Sequence, residues 1–159
     1  MGDRCYLEMT LRRADLDRFA PHADASPGEE WWDHLDDHPE ISGLVDVSVY
    51  EANYGWLDER QGAAKAGIAF MGTHGEGGCY GPYAFAAHDG ELDEAPLNHD
   101  GYLIIAVDDD LKPVEGAEDC IRAYVNRRRA VERLFEREEA NDVDQPESDP
   151  AVPAGLCGP

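Results

Sequence analysis

Four histidine and cysteine side chains lie near one another in the sequence and suggest a metal site. They are His74, Cys79, His88 and His99. Nitrogen and sulfur ligands of this kind suit Zn²⁺, which structural sites hold in a tetrahedron. They could meet if successive hairpin loops lie at one end of a sheet. None of the pairs has the Cys-x-x-Cys or helical spacing of a dedicated zinc motif, so the alternative is ordinary turn and surface residues.

A glycine-rich loop, residues 72–81, lies between two short apolar segments. Backbone amides of residues without Cβ atoms can approach an anion closely, as in phosphate-binding loops. The loop lacks the Gly-Lys-Ser/Thr ending of such loops, and Glu76 adds a negative charge at its centre. Turn geometry therefore explains the glycines better. Within this loop, His74 and Cys79 are the only pairing of a base with a nucleophile.

Acidic residues are concentrated in two places, residues 29–40 and residues 108–110. The members are Glu29, Glu30, Asp33, Asp36, Asp37, Glu40, Asp108, Asp109 and Asp110. Carboxylates are ligands for Mg²⁺ and Ca²⁺, but residues 108–110 lack the spaced Asp-x-Asp-x-Asp-Gly pattern of a calcium loop. We predict instead that both groups belong to an anionic face that binds a basic partner.

The elements that must position these residues follow from hydrophobic periodicity. Alternation predicts strands at residues 5–11, 44–52, 68–71, 80–87, 91–95 and 102–107, with an Asp-Gly hairpin turn at residues 89–90. Helical spacing predicts short helices at 13–20, 29–38 and 56–66 and a long helix at 115–139. Short turns favour antiparallel neighbours. The predicted fold is α+β: a mainly antiparallel sheet of five or six strands packed on one long C-terminal helix, with short helices after the first and second strands.

The chain divides into a compact part and a tail. Residues 1–139 are predicted to form a single compact α+β domain, and residues 140–159 to form an acidic, Pro-rich, disordered tail. No apolar run reaches the roughly 18 residues of a membrane span, and the N-terminus enters a strand pattern at once. These observations predict a cytoplasmic protein without membrane contact.

The formal net charge of -22 has three competing explanations. A surface of this kind can imitate a phosphate backbone, it can suit a salt-rich cytoplasm, or it can simply keep the protein soluble. It argues against direct binding to nucleic acid, because phosphates would approach a surface that repels them. In composition the chain is similar to small acidic α+β proteins, often carried by phages and plasmids, that inhibit nucleic-acid enzymes by presenting DNA-like charge.

The sequence therefore predicts a non-enzymatic interaction or inhibitor protein. Its expected partner is a basic protein, such as a nucleic-acid-binding or defence protein, and a homo-oligomer is compatible with the sequence. No catalytic residue is singled out and no cofactor is expected. Two alternatives stay open: a small-ligand- or metal-binding protein or enzyme that uses the loop at residues 72–81, and an acidic housekeeping domain of a halophile.

Overall fold

The computed structural model describes residues 3–143, which form one six-stranded sheet and three α-helices. The strands are β1 (Arg4–Arg12), β2 (His34–Asp37), β3 (Leu44–Asn53), β4 (Phe70–His74), β5 (Tyr83–His88) and β6 (Glu91–Pro96). The α-helices are α1 (Leu16–Phe19), α2 (Leu57–Lys65) and α3 (Ala117–Val143). The predicted α+β fold is confirmed, with short helices after β1 and β3 and a long C-terminal helix on the sheet.

The first strand of the chain lies in the middle of the sheet. The strand order is β2-β3-β1-β4-β5-β6, and every neighbouring pair is antiparallel. Along β1, Leu7, Met9 and Leu11 are buried on one side, and Glu8 points to the other. We call the side of Leu7 the first face and the side of Glu8 the second face. This alternation is the period-two pattern on which the strand prediction rested.

The first face carries the larger core. Phe19 of α1 stacks on Trp31 with ring centroids 4.6 Å apart, and the Trp31 indole N–H donates to the carbonyl of Leu16 at 3.2 Å. Phe70 of β4 meets Phe19 edge to face at 5.7 Å. Aromatic pairs of this geometry add to the stabilisation from burial alone. Helices α1 and α2 thus close this face of the sheet.

Helix α3 covers only part of the second face. Its Tyr124, Val131 and Phe135 are buried with three alanines of β5 and β6, namely Ala84, Ala86 and Ala95. Arg127 anchors the helix: its Nε lies 2.7 Å from Asp93 Oδ2, and it also pairs with Glu91. Most of these contacts lie on β5 and β6, and Leu44 at the start of β3 belongs to the same buried cluster. The rest of the second face over β1 and β3 is open in the described chain.

The helix predicted at residues 29–38 is wrong. Trp31 and Trp32 lie in an irregular segment, and residues 34–37 form β2, whose Leu35 pairs with Val47 of β3. A helix over this segment would place Trp31 or Trp32 on the same apolar side as Leu35. In the structure, Trp31 instead fills a gap in the aromatic core, and the chain then extends along the free edge of β3.

The strand predicted at residues 102–107 is also wrong. The sheet ends with β6, and the segment has only isolated bridges, from Leu97 to Leu103 and from Val107 to Pro113. The Asn98 side chain accepts hydrogen bonds from the backbone N–H groups of Asp100 and Tyr102, which fixes a turn. The apolar side chains after this turn are partly exposed, Ile104 by 43%. Local turn chemistry has overridden strand propensity here.

Helix α3 ends later than predicted. It extends through Val143, so residues 140–143, assigned to the tail from sequence, are helical. The remainder of the predicted tail, residues 144–159, lies outside the described residues, and the division into a domain and a disordered tail stays a prediction. Within the described residues, no helix is both long and apolar enough to cross a membrane.

Candidate functional site

The structure does not bring the four candidate zinc ligands together. His74 is the last residue of β4 and pairs with Tyr83 at the start of β5, whereas His88 is at the other end of β5, about 17 Å along the strand. His99 is exposed, with Nδ1 3.9 Å from the Glu76 carboxylate. In the described chain, no three His, Cys, Asp or Glu side chains are grouped to hold a metal ion.

Cys79 is not paired with His74 either. Its thiol donates a hydrogen bond to the Asp3 carboxylate. This bond raises the pKa of the Cys79 thiol. A reactive cysteine requires the opposite shift, because the thiolate is the nucleophile.

Gly72 has a packing role in β4. A Cβ atom at this position would lie 2.0 Å from the carbonyl oxygen of Glu8 on the neighbouring strand. The glycine therefore permits the close approach of β1 and β4. The loop between β4 and β5 begins only after His74.

All nine acidic residues predicted to bind a partner are exposed. Those of residues 29–40 surround β2, at one edge of the sheet. Residues 108–110 follow β6, at the opposite edge, where the Asp108 carboxylate accepts from the N–H groups of Asp110 and Lys112, both at 2.9 Å. The two groups thus belong to different parts of the structure, and that they form one face stays a prediction.

The uncovered part of the second face is a groove of about 920 Å³ over β1 to β4. Strand register arranges its side chains in two rows across the sheet. One row is Met71, Thr10, Asp46 and Asp36. The other row is Thr73, Glu8, Ser48 and His34. Tyr6 stacks on Tyr50 at 5.7 Å beside these rows.

The groove is strongly anionic. Four carboxylates line it, those of Glu8, Asp36, Asp37 and Asp46, and none of its described lining residues is Lys or Arg. Asp37 is also paired with Arg13, which lies outside this lining. Asp36 and Asp46 are direct cross-strand partners, an arrangement in which like charges destabilise a sheet. Thr10 Oγ1 donates to Asp46 Oδ1 at 2.6 Å, and His34 Nε2 lies 2.9 Å from Asp36 Oδ2. These contacts fix the two carboxylates in place in the lining of the groove.

A second concavity lies on the first face, where α2 meets β4, β5 and β6. It is a cavity of about 290 Å³. Its lining residues are Tyr54, Leu57, Arg60, His74, Tyr80, Tyr83 and Glu94. The cavity thus combines three aromatic phenols with an arginine, a histidine and a carboxylate.

Arg60 is the largest fully buried side chain of the described protein. Its Nη1 donates to Glu94 Oε1 at 2.7 Å, and its Nε donates to the carbonyl of Gly55 at 2.7 Å. The guanidinium lies 4.2 Å over the ring of Phe85. Burial lowers the pKa of Arg60 and the Glu94 carboxylate opposes that shift, but a guanidinium keeps its charge in proteins.

His74 is held in one tautomer beside this ion pair. Its Nδ1 lies 2.9 Å from the carbonyl oxygen of Gly75, and a carbonyl can only accept, so Nδ1 carries the proton. The Nε2 lone pair is then left as an acceptor. Burial lowers the pKa of His74, and the Gly75 carbonyl opposes this shift. The lowered pKa favours the neutral imidazole.

The wall of the cavity contains a left-handed turn of backbone. Tyr54, Gly55 and Trp56 are three consecutive residues with positive φ, of 49°, 61° and 57°. For residues other than glycine this conformation costs roughly 1–2 kcal/mol each. A Cβ on Gly55 would lie 2.8 Å from the His74 ring. Strain of this kind persists where surrounding structure enforces it, and it is concentrated at functional sites.

Sequence reasoning singled out Asp36 and Asp37 of the groove and His74 of the cavity, but it missed the other charged residues of both sites. For Arg60 a signal exists: it is spaced three and four residues from Ala63 and Ala64, which places it on the buried side of α2. Asp46 and Glu8 are polar positions of two alternating strands, and nothing local in the sequence distinguishes them from other exposed residues. Only the strand order shows that both line one groove.

Comparison of the chain with protein families, with curated proteins and with solved structures returned no match. Function must therefore be inferred from the two sites themselves.

Proposed function

We propose that the protein binds a basic segment of a partner protein in the acidic groove of the second face. The observation that supports this most directly is the cross-strand pairing of Asp36 with Asp46. Two carboxylates held opposite each other repel in the free protein. A lysine or arginine placed between them removes that repulsion and gains charge-assisted hydrogen bonds.

The groove suits arginine in particular. A guanidinium is planar and presents several donors, so it can bridge neighbouring carboxylates and stack on an aromatic ring. Tyr6 and Tyr50 supply such rings at the groove, and they are 42% and 55% exposed. The Tyr6 hydroxyl donates to Glu8 Oε1 at 2.8 Å, which couples the aromatic pair to a groove carboxylate. An arginine of the partner can thus contact a carboxylate and an aromatic ring at the same time.

The charge of the protein indicates the class of partner. A net charge of -22 opposes nucleic-acid binding and favours proteins whose own surface is basic. We therefore propose an inhibitor that occupies the basic surface of a nucleic-acid-binding or defence protein, in the manner of a DNA mimic, in the cytoplasm and from a phage or other mobile element. Residues 108–110 form a separate acidic group that lies outside the groove.

Calorimetric titration with an arginine-rich peptide tests the groove. Asp36→Asn and Asp46→Asn should each weaken binding by about tenfold, the effect of losing a charged contact of about 1.4 kcal/mol. Asp109→Asn removes the same charge outside the groove and serves as the matched control, with less than about a twofold effect expected. Equal losses in all three variants would show that overall charge, rather than the groove, drives binding.

A competition assay tests the inhibitor role. The protein should release duplex DNA from a basic, sequence-nonspecific DNA-binding protein, and the Asp36→Asn/Asp46→Asn double variant should release much less. Release should weaken steeply as salt rises, because exposed charges are screened. If neither protein releases DNA, and the wild type unfolds in dilute buffer, the charge is an adaptation to a salt-rich cytoplasm and the inhibitor role is rejected.

A further inference from the structure

We propose that the cavity beside Arg60, His74 and Glu94 binds a small, net-neutral, planar ring compound whose edge carries a carbonyl oxygen next to an N–H. Uracil and hypoxanthine have this edge. The cavity opens on the first face of the sheet, opposite the acidic groove, so this inference does not depend on the proposed function.

The hydrogen-bonding groups of the cavity match such an edge. Arg60 uses Nε and Nη1 within the protein; its Nη2 makes no hydrogen bond to residues 3–143, and because no buried side-chain nitrogen of this part lacks a partner, Nη2 is open to the solvent of the cavity. Glu94 uses Oε1 for Arg60, and Oε2 has no partner in the same part of the chain. One donor and one acceptor therefore stay available on adjoining side chains. A ligand carbonyl accepts from the first, and the neighbouring ligand N–H donates to the second.

His74 adds a second acceptor. Its Nδ1 proton is committed to the Gly75 carbonyl, so Nε2 can only accept. The ring is buried and stacks on Tyr83 with centroids 5.7 Å apart, which fixes the direction of its lone pair. The site thus offers two acceptors and one charged donor beside a largely buried arginine, with the Glu94 side chain 27% exposed. Polar groups of this kind discriminate strongly against ligands that leave them unpaired.

The charge of the cavity selects a neutral ligand. Arg60 is positive, Glu94 is negative and His74 is neutral, so the formal charges of the lining cancel. A free phosphate would have to approach the Glu94 carboxylate of a protein that already carries a charge of -22. A simple cation would have to approach Arg60. A neutral amide edge meets neither penalty.

The aromatic lining and the size of the cavity select a small flat molecule. Tyr54 and Tyr80 flank the opening with ring centroids 6.2 Å apart, and Tyr83 lies deeper against His74. The volume of about 290 Å³ is at the lower end of the range of small-molecule pockets, about 300–1,000 Å³. The left-handed turn at residues 54–56 holds Tyr54 at the rim, which gives its strained backbone a role.

The test is calorimetric titration of the full chain with uracil and with hypoxanthine. The matched ligand control is 1,3-dimethyluracil, which has the same ring and carbonyls but no N–H, and it should bind at least about 100-fold more weakly. Tyr54→Asn removes the rim ring and suits a left-handed backbone. It should weaken binding by about 5- to 150-fold, the range for loss of an aromatic side chain that stacks on a base.

Two further variants assign the binding to this cavity. Tyr102→Asn removes another exposed tyrosine, which lies outside the cavity and is 70% exposed against 51% for Tyr54, and it should leave affinity unchanged. Glu94→Gln puts an amide NH₂ donor in place of one carboxylate oxygen and keeps the shape of the side chain. It should weaken binding by about tenfold. In the wild type, the ¹⁵N resonance of His74 Nε2 should shift on titration.

Several results would overturn the inference. These are no saturable binding of either compound, equal affinity for 1,3-dimethyluracil, and equal loss of affinity in Tyr54→Asn and Tyr102→Asn. Binding of free amino acids or inorganic phosphate in place of the ring compounds would overturn it as well. Each of these outcomes leaves the peptide titration in the acidic groove unaffected, so the two proposals fail separately.

Discussion

Asp46→Asn should stabilise the free protein while it weakens partner binding. The direct register of Asp36 with Asp46 places their Cβ atoms about 4.5–5.5 Å apart. For charges about 5.5 Å apart in a water-like dielectric, Coulomb repulsion is about 0.8 kcal/mol. Thr10 can still donate to the Asn oxygen that replaces Asp46 Oδ1, so the variant loses the charge and keeps the hydrogen bond.

The repulsion between Asp36 and Asp46 should depend on the salt concentration. In about 10 mM salt, where the Debye length is about 30 Å, most of the repulsion persists and the gain in unfolding free energy should be about 0.6 kcal/mol. In about 1 M salt, where the Debye length is about 3 Å, the gain should fall to about 0.1 kcal/mol. Equilibrium urea unfolding at the two salt concentrations measures both values. Asp109→Asn corrects for the change in net charge.

A double-mutant cycle tests whether Asp36 and Asp46 repel each other. Asp36→Asn alone should stabilise the protein about as much as Asp46→Asn, and the double variant should gain little more, because either substitution removes the pair. Additive gains would mean that the two carboxylates repel the rest of the protein and not each other. That result, or no gain over Asp109→Asn, would refute the reasoning that supports the groove.

Two further predictions concern the cavity of the first face. Gly55→Ala should destabilise the protein by about 2 kcal/mol, because a Cβ there would lie 2.8 Å from His74. The control Gly67→Ala, at φ 77° with nothing within 4 Å of its Cβ, should cost only about 1 kcal/mol for the backbone conformation. Equal losses of stability in thermal unfolding would contradict the close contact between residue 55 and His74. Because burial lowers the pKa of His74, the folded protein binds fewer protons than the unfolded chain, whose imidazole titrates near about pH 6.5. Stability should therefore be complete above that pH and fall as the pH drops toward the folded-state pKa, by at most about 1.4 kcal/mol per pH unit. Urea unfolding at about pH 7.5 and about pH 5.5 should show a smaller fall in His74→Asn and an unchanged one in the exposed control His99→Asn.

The parts of the fold that depend on local pattern could be predicted from the sequence. Alternation in β1 and β3 and the apolar stripe of α3 are each produced by neighbours along the chain, and the structure confirms them. The Asp89-Gly90 turn is likewise local, and both residues have positive φ as a two-residue hairpin requires. Such elements need no knowledge of their packing partners.

The parts of the fold that depend on contacts between residues distant in the sequence could not be predicted. Residues 102–107 have strand propensity, yet no neighbouring strand accepts them, and only the assembled sheet shows this. Helical spacing predicts Trp31 on the apolar side of a helix, and only the structure shows that it stacks on Phe19. The candidate sites have the same limit: Asp36 and Asp46 are ten positions apart in the chain, and their repulsion exists only once β2 pairs with β3.

The central place of β1 has a consequence for folding. Cys5 of β1 reaches Ala52 and His74, which follow 47 and 69 residues later. Because β1 is synthesised before β3 and β4, both of its edges stay unpaired until those two strands have been made. Folding dominated by pairings so distant in sequence is slow, and an apolar strand exposed meanwhile can pair with another chain. The segment made while β1 still lacks its partners, residues 13–73, contains more acidic than basic side chains, and like-charged nascent chains repel one another.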